Sequence, residues 1–123
     1  MNDSTILRIA CLEALKGKHK QYRLGAVVIS SAGKILSRGC NSLKSHPLMG
    51  PIKKTHAEIA ALSKLRLSEM MGATVYVARL NNNGKIGLAK PCPICTRILR
   101  EHGFKEARFT TGLKNIVGSE RME

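Results

Sequence analysis

The chain has 123 residues, 43% of them hydrophobic, and carries 21 Lys and Arg against 8 Asp and Glu, a formal net charge of +13. That length sets an expectation of one domain over residues 1–123 around one core, and no apolar run approaches the roughly 20 residues that a membrane-spanning helix needs. The opening residues lack a basic start and Glu13 interrupts their apolar stretch, so a secretory signal is excluded and a soluble, cytoplasmic protein without a disulfide framework is expected.

Asp3 and Ser4 are candidate N-caps for a first helix. Ile6, Ala10 and Ala14, beside Leu7, Cys11 and Leu15, give it an apolar face, and Gly17 ends it. Residues 25–39 read as a hairpin: Ala26 to Ile29 forward, a turn at Ser31-Ala32-Gly33, and Lys34 to Arg38 back. Cys11 and Cys40 read as small buried side chains. A long loop from Cys40 to Lys54 carries Pro47, Gly50 and Pro51. A second helix is expected from Thr55 to Met71, punctuated by Gly72, and a third strand from Ala73 to Arg79. Asn81-Asn82-Asn83-Gly84 is a turn, with a short returning strand over Lys85 to Ala89. Pro91-Cys92-Pro93 opens a third helix that runs to about His102 and stops at Gly103. Lys105 to Thr111 is a fourth strand. The 12 residues after it are too few for a parallel crossover, so a fifth strand near Asn115 to Val117 must return antiparallel or not form. This order predicts a three-layer α/β/α domain with a mixed sheet of four to five strands.

Two motifs carry chemistry: His56-Ala57-Glu58 at the start of the second helix, and Pro91-Cys92-Pro93-Ile94-Cys95 at the start of the third. Cys92 and Cys95 are three residues apart, so both sulfurs can turn toward one point, and a helix N-terminus favours the thiolates that zinc requires. His56 adds an imidazole nitrogen. Two thiolates and one imidazole leave a tetrahedral ion one open position, the mark of a catalytic rather than a structural site, where the pKa of water falls toward neutrality. Glu58 is placed to move protons. Each part has a plainer reading. Thr55-His56-Ala57-Glu58 fits a capping box, and C-x-x-C also occurs in structural zinc sites and redox proteins. A closed structural site would need a fourth ligand, for which His19, His46, His102, Cys11 and Cys40 are available, though none has partner spacing. Together, each at a helix start, the two motifs favour catalysis.

H-x-E followed by P-C-x-x-C is the signature of zinc nucleobase deaminases, and on these residues the chain resembles the cytidine deaminase-like superfamily of cytidine and deoxycytidylate deaminases, tRNA adenosine deaminases and polynucleotide cytosine deaminases. The resemblance spans about residues 5–111 and extends to Leu24-Gly25-Ala26-Val27-Val28, Gly39-Cys40-Asn41, Thr55 to Leu62 and Ala73 to Val77. It implies one zinc ion held by His56, Cys92 and Cys95, a proton shuttle at Glu58, a sugar contact at Asn41 and a base contact along the Ala57 backbone. Pro91 precedes the first cysteine ligand and is taken as part of the substrate wall. Many relatives pass almost directly from the third strand into P-C-x-x-C. Here Leu80 to Lys90 intervenes, which predicts a hairpin at the rim of the site, and Lys90 stands where many tRNA-acting relatives carry Glu. The short ending resembles the cytidine deaminase branch and favours cytosine over adenine.

Charge bears on the substrate. No acidic residue stands between Glu13 and Glu58, an interval holding Lys16, Lys18, Lys20, Arg23, Lys34, Arg38, Lys44, Lys53 and Lys54. Such a field attracts phosphate, and it leans the reading toward cytosine in single-stranded DNA or RNA, with Lys44, Lys53, Lys54 and Lys90 on the backbone. Against this stand only four aromatic residues, Tyr22, Tyr76, Phe104 and Phe109, where single-strand binders use exposed rings as stacking platforms. Tyr76, Phe104 and Phe109 read as core, leaving Tyr22, next to Arg23, as the candidate base contact. The alternatives are a free cytidine, deoxycytidine or deoxycytidylate deaminase, an adenosine deaminase acting on RNA, and a non-catalytic zinc-stabilised nucleic-acid-binding module. A homo-oligomer is expected by analogy with relatives.

Overall fold

Period-two alternation decides which way each strand faces. In the computed structural model, which describes residues 2–17, 23–42, 47–49, 55–81, 83–113 and 116–122, strand β1 (Arg23–Ile29) buries Ala26 and Val28 on one side and Val27 and Ile29 on the other. Strand β3 (Thr74–Leu80) does the same with Val75 and Val77 against Tyr76 and Ala78. A sheet buried on both faces needs a layer on each. Helix α1 (Asp3–Ala14) supplies one through Ile6, Leu7 and Ala10. Helices α2 (Ala57–Leu62), α3 (Leu67–Met70) and α4 (Pro93–Glu101) supply the other through Ile59, Leu62, Met70, Ile98 and Leu99.

The remaining strands are β2 (Ile35–Cys40), β4 (Ile86–Gly87), β5 (Glu106–Thr110) and β6 (Val117–Arg121), with a 3₁₀ turn at Pro47–Met49. The sheet order is β2-β1-β3-β5-β6, and β4 pairs with β3 off this path. The β3–β5 pair is parallel and the other pairs are antiparallel. The three-layer architecture and mixed sheet agree with the sequence. The strand number rises from the expected four or five to six, because both the two-residue β4 and the closing strand form. The closing strand returns antiparallel, as the short tail requires, but lies at Val117–Arg121 rather than near Asn115.

Four local expectations are corrected. Asn2, not Asp3 or Ser4, caps α1 by accepting from the Thr5 N–H at 2.9 Å, because Asp3 is bonded instead to Arg108 and Tyr76. That helix closes at Leu15, short of Gly17. The expected helix from Thr55 to Met71 is two pieces. The Ser63 hydroxyl donates back to the Ala60 carbonyl, and the Glu69 carboxylate accepts from the Arg66 N–H at 2.9 Å, which starts a new helix rather than continuing the old. Cys11 and Cys40 are half-buried rather than buried.

Candidate active site

The two motifs meet where α2 and α4 begin. Ser42 and Thr55 form an isolated antiparallel bridge, with backbone bonds of 2.8 and 2.9 Å, so the chain enters α2 from an extended segment and His56 becomes the N-cap residue. His56 makes no side-chain cap bond, and the capping-box reading fails because His56, not Thr55, occupies the N-cap position. At α4 the Cys92 sulfur accepts from the Cys95 N–H at 3.4 Å, with Pro93 supplying the fixed φ of a first helical turn.

His56 Nδ1 lies 3.2 Å from Cys95 Sγ and 3.5 Å from Cys92 Sγ. All three ligand atoms fall within 4.8 Å of one another, and this is the group of three among the described residues that could hold a metal. Tetrahedral zinc, with sulfur at about 2.3 Å and nitrogen at about 2.0 Å, sets neighbouring ligand atoms about 3.5 Å apart, so both spacing and donor type fit. His102, Cys11 and Cys40 do not join the group. His102 instead places Nδ1 2.7 Å from the Ile98 carbonyl at the end of α4. His19 and His46 lie outside the described residues.

Glu58 is 3% exposed beside this cluster. Burial pushes its carboxyl above the usual carboxylate range, opposed by hydrogen bonds from its own backbone N–H and from the Cys95 thiol. Burial, and then the charges of Glu58 and Cys92, push the fully buried Cys95 thiol upward. The buried Cys95 thiol and Glu58 carboxyl are thus both held toward their protonated forms in the absence of positive charge. A divalent cation supplies that charge and deprotonates a coordinating thiol, so the electrostatics suit the metal as well as the distances do.

The other candidate residues divide. Ala57 is fully buried at the first turn of α2, and Pro91 is buried just before Cys92. Asn41 follows β2, across the Ser42–Thr55 bridge from His56. Its side-chain oxygen accepts from the Leu24 N–H at 3.0 Å, so it also fastens the end of β1. Arg23 is half-buried at the start of β1 and Lys90 is exposed ahead of Pro91. Tyr22, Lys44, Lys53 and Lys54 lie outside the described residues. Of the nine cations between Glu13 and Glu58, Lys16 is paired with Glu13 at 2.7 Å. Tyr76, Phe104 and Phe109 are 6%, 2% and 6% exposed.

The intervening Leu80 to Lys90 segment forms the expected hairpin, and a residue the motifs did not flag holds it. The buried Thr110 hydroxyl donates to the Gly87 carbonyl at 2.7 Å and accepts from the Arg79 N–H at 3.3 Å. The Ala89 N–H donates to the Thr110 carbonyl at 2.9 Å. A threonine closing a strand carries no local signal of this role, because its partners are 23 and 31 residues away.

The family model described as "Cytidine and deoxycytidylate deaminase zinc-binding region" matches residues 1–111. Among curated proteins no relative matches. Among solved structures, the dCMP deaminase from cyanophage S-TIM5 is 24% identical with a TM-score of 0.66, over 89% of this chain and 82% of that one. The cytidine deaminase from Burkholderia pseudomallei is 21% identical with a TM-score of 0.71, over 99% of this chain and 94% of that one. The cytidine deaminase from Mycobacterium leprae is 22% identical with a TM-score of 0.62, over 99% and 94%.

Proposed function

The chain belongs to the cytidine and deoxycytidylate deaminase zinc-binding family, and from this premise we propose that it hydrolyses the exocyclic amine of cytosine on a free, phosphate-bearing nucleoside, leaving uracil and releasing ammonia. That it is a hydrolytic zinc deaminase follows from the family. The observation that carries the mechanism is the convergence of His56, Cys92 and Cys95 beside a buried Glu58.

In this mechanism His56, Cys92 and Cys95 hold the ion. When bound, zinc supplies a Lewis acid that brings the ionisation of water toward neutral pH. Glu58 takes the two protons of the attacking water in turn, giving the first to the ring nitrogen and the second to the departing amine, which leaves as ammonia. Its burial keeps these transfers away from bulk solvent, and its raised proton affinity suits a group that must hold a proton between steps. The buried Ala57 and Pro91 flank the ligands and present backbone and a rigid apolar wall to a flat base. Asn41, fixed to Leu24, is aimed at the sugar.

Burial of Tyr76, Phe104 and Phe109 favours the mononucleotide, since those rings are committed to the core and not available for stacking a strand. The solved relatives are a dCMP deaminase and cytidine deaminases. A positive chain suits a substrate phosphate. The second reading, cytosine within single-stranded nucleic acid, draws on the run of cations between Glu13 and Glu58 and on exposed Lys90.

The test is an activity panel of cytidine, deoxycytidine, their monophosphates, and single-stranded DNA and RNA, scored for uracil and for hypoxanthine from adenosine controls. Deoxycytidylate or cytidylate is expected to turn over with a shallow salt dependence. Preferred oligonucleotide turnover that falls steeply with salt would move the assignment to the second reading. Glu58→Gln should lower kcat by at least about a hundredfold while zinc stays bound. Full activity of that variant would overturn the role given to Glu58.

A further inference from the structure

Helix α2 has six residues, too few to hold a direction through its own hydrogen bonds. Yet His56 immediately precedes it and Glu58 is its second residue. It packs mainly on β2 and β1, whereas Cys92 and Cys95 sit at the start of α4. The spacing between the two halves of the site therefore depends on where the sheet seats α2.

One continuous stretch does the seating. The Ser37 hydroxyl, on a residue 8% exposed, donates to the Ala61 carbonyl at 2.7 Å, near the C-terminal end of the helix. The Lys64 N–H approaches the same carbonyl at 3.4 Å, so the Ser37 hydroxyl is the closer partner. Two residues on, along the same face, a Cβ at Gly39 would come within 2.6 Å of the Ala61 nitrogen and 2.9 Å of the Ala60 carbonyl carbon. Both are backbone atoms that cannot swing aside. Past the end of β2, the Ser42–Thr55 bridge holds the entry to the helix. Contacts at the C-terminal half and at the entry of α2 thus both come from residues 37–42.

We propose that Ser37 and Gly39 are positioning residues for deamination: Gly39 admits α2 to its seat, Ser37 locks it there, and together they set His56 and Glu58 against Cys92 and Cys95. This rests on the role given above to Glu58.

Ser37→Ala, Ser37→Thr and Gly39→Ala test it in the full chain, read by kcat, KM and zinc content, and by the visible d–d spectrum after cobalt(II) replaces zinc, which reports ligand geometry without any substrate. Ser37→Ala is expected to lower kcat about tenfold, with KM within about twofold of the parent and zinc still stoichiometric, as a displaced reacting group does. Its cobalt bands should shift, and Ser37→Thr, which keeps the hydroxyl, should restore both kcat and spectrum. Gly39→Ala should show a larger loss of the same kind, and should it fail to fold, the Ser37 pair still decides. A Ser37→Ala protein that loses only thermal stability, with parental kcat per zinc and an unchanged cobalt spectrum, would overturn the proposal. A parent inert on every cytosine substrate would instead refute the deaminase reading of Glu58, and the cobalt spectra would still settle the positioning.

Discussion

Cys92 and Cys95 are not equivalent, although the motif makes them look so. Cys92 is half-buried and caps α4, while Cys95 is fully buried and touches both Cys92 and Glu58. Removing the Cys95 sulfur takes away one of three ligands and leaves the Glu58 carboxyl buried without the thiol partner. Cys95→Ala is therefore expected to purify with far less than one zinc per chain, and its melting temperature should cease to respond to added zinc, because a ligand stabilises a fold only by binding it. Metal analysis showing stoichiometric zinc in that variant would remove Cys95 from the ligand set. The Asn41 oxygen fastens the Leu24 N–H, and that bond limits where its amide can reach.

Among the elements, α1 lies closest to the sheet, and one residue permits it. A Cβ on Gly25 would stand 1.9 Å from the Ala10 carbonyl oxygen and 2.5 Å from the Ala14 nitrogen. Backbone on both sides leaves no cheap relaxation, so Gly25→Ala should destabilise the fold by about 3 kcal/mol or more. Urea unfolding reads this directly, and a loss below about 1 kcal/mol would mean that α1 can shift outward at little cost. The β3–β4 hairpin shows another case. Its strand β4 is only two residues long, and it is held both by its pairing with β3 and by Thr110 of β5.

Across the whole molecule, the first helix is tied to strands β3 and β5 by an ionic network. Arg108 donates to both Asp3 oxygens at 2.7 and 2.8 Å, a contact spanning 105 residues, and to Glu106 at 2.9 Å. The Tyr76 hydroxyl donates to Asp3 at 2.7 Å. Burial, followed by the hydrogen bond to Asp3 and its charge, raises the Tyr76 pKa to about 12. A raised pKa means that the folded chain keeps a proton that the unfolded chain gives up. The associated stability is therefore intact below about pH 10 and is lost as the pH climbs toward 12. Tyrosinate absorbance should show one of the two tyrosines titrating late, and urea midpoints should fall over that interval in the parent more than in Tyr76→Phe. Equal falls in both would deny the network this role.

Much of this was legible in the chain itself. The strands at Ala26 to Ile29 and Ala73 to Arg79, the proline and paired cysteines opening α4, and the H-x-E and P-C-x-x-C residue types all act through neighbours a few positions away, and local chemistry is what a sequence states directly. Hence the layers, the mixed sheet and the grouping of His56 with Cys92 and Cys95 follow from the sequence. What needed the tertiary structure were choices made by distant partners. Arg108 drew Asp3 away from capping α1. The Ser42–Thr55 bridge made His56 the N-cap residue and dissolved the capping box. Ser37, Gly39 and Thr110 became anchors only because Ala61, Ala60 and Gly87 arrived beside them. A hydroxyl or a missing Cβ has no preferred partner along the chain, and its role is decided by what folding brings within about 3 Å of it.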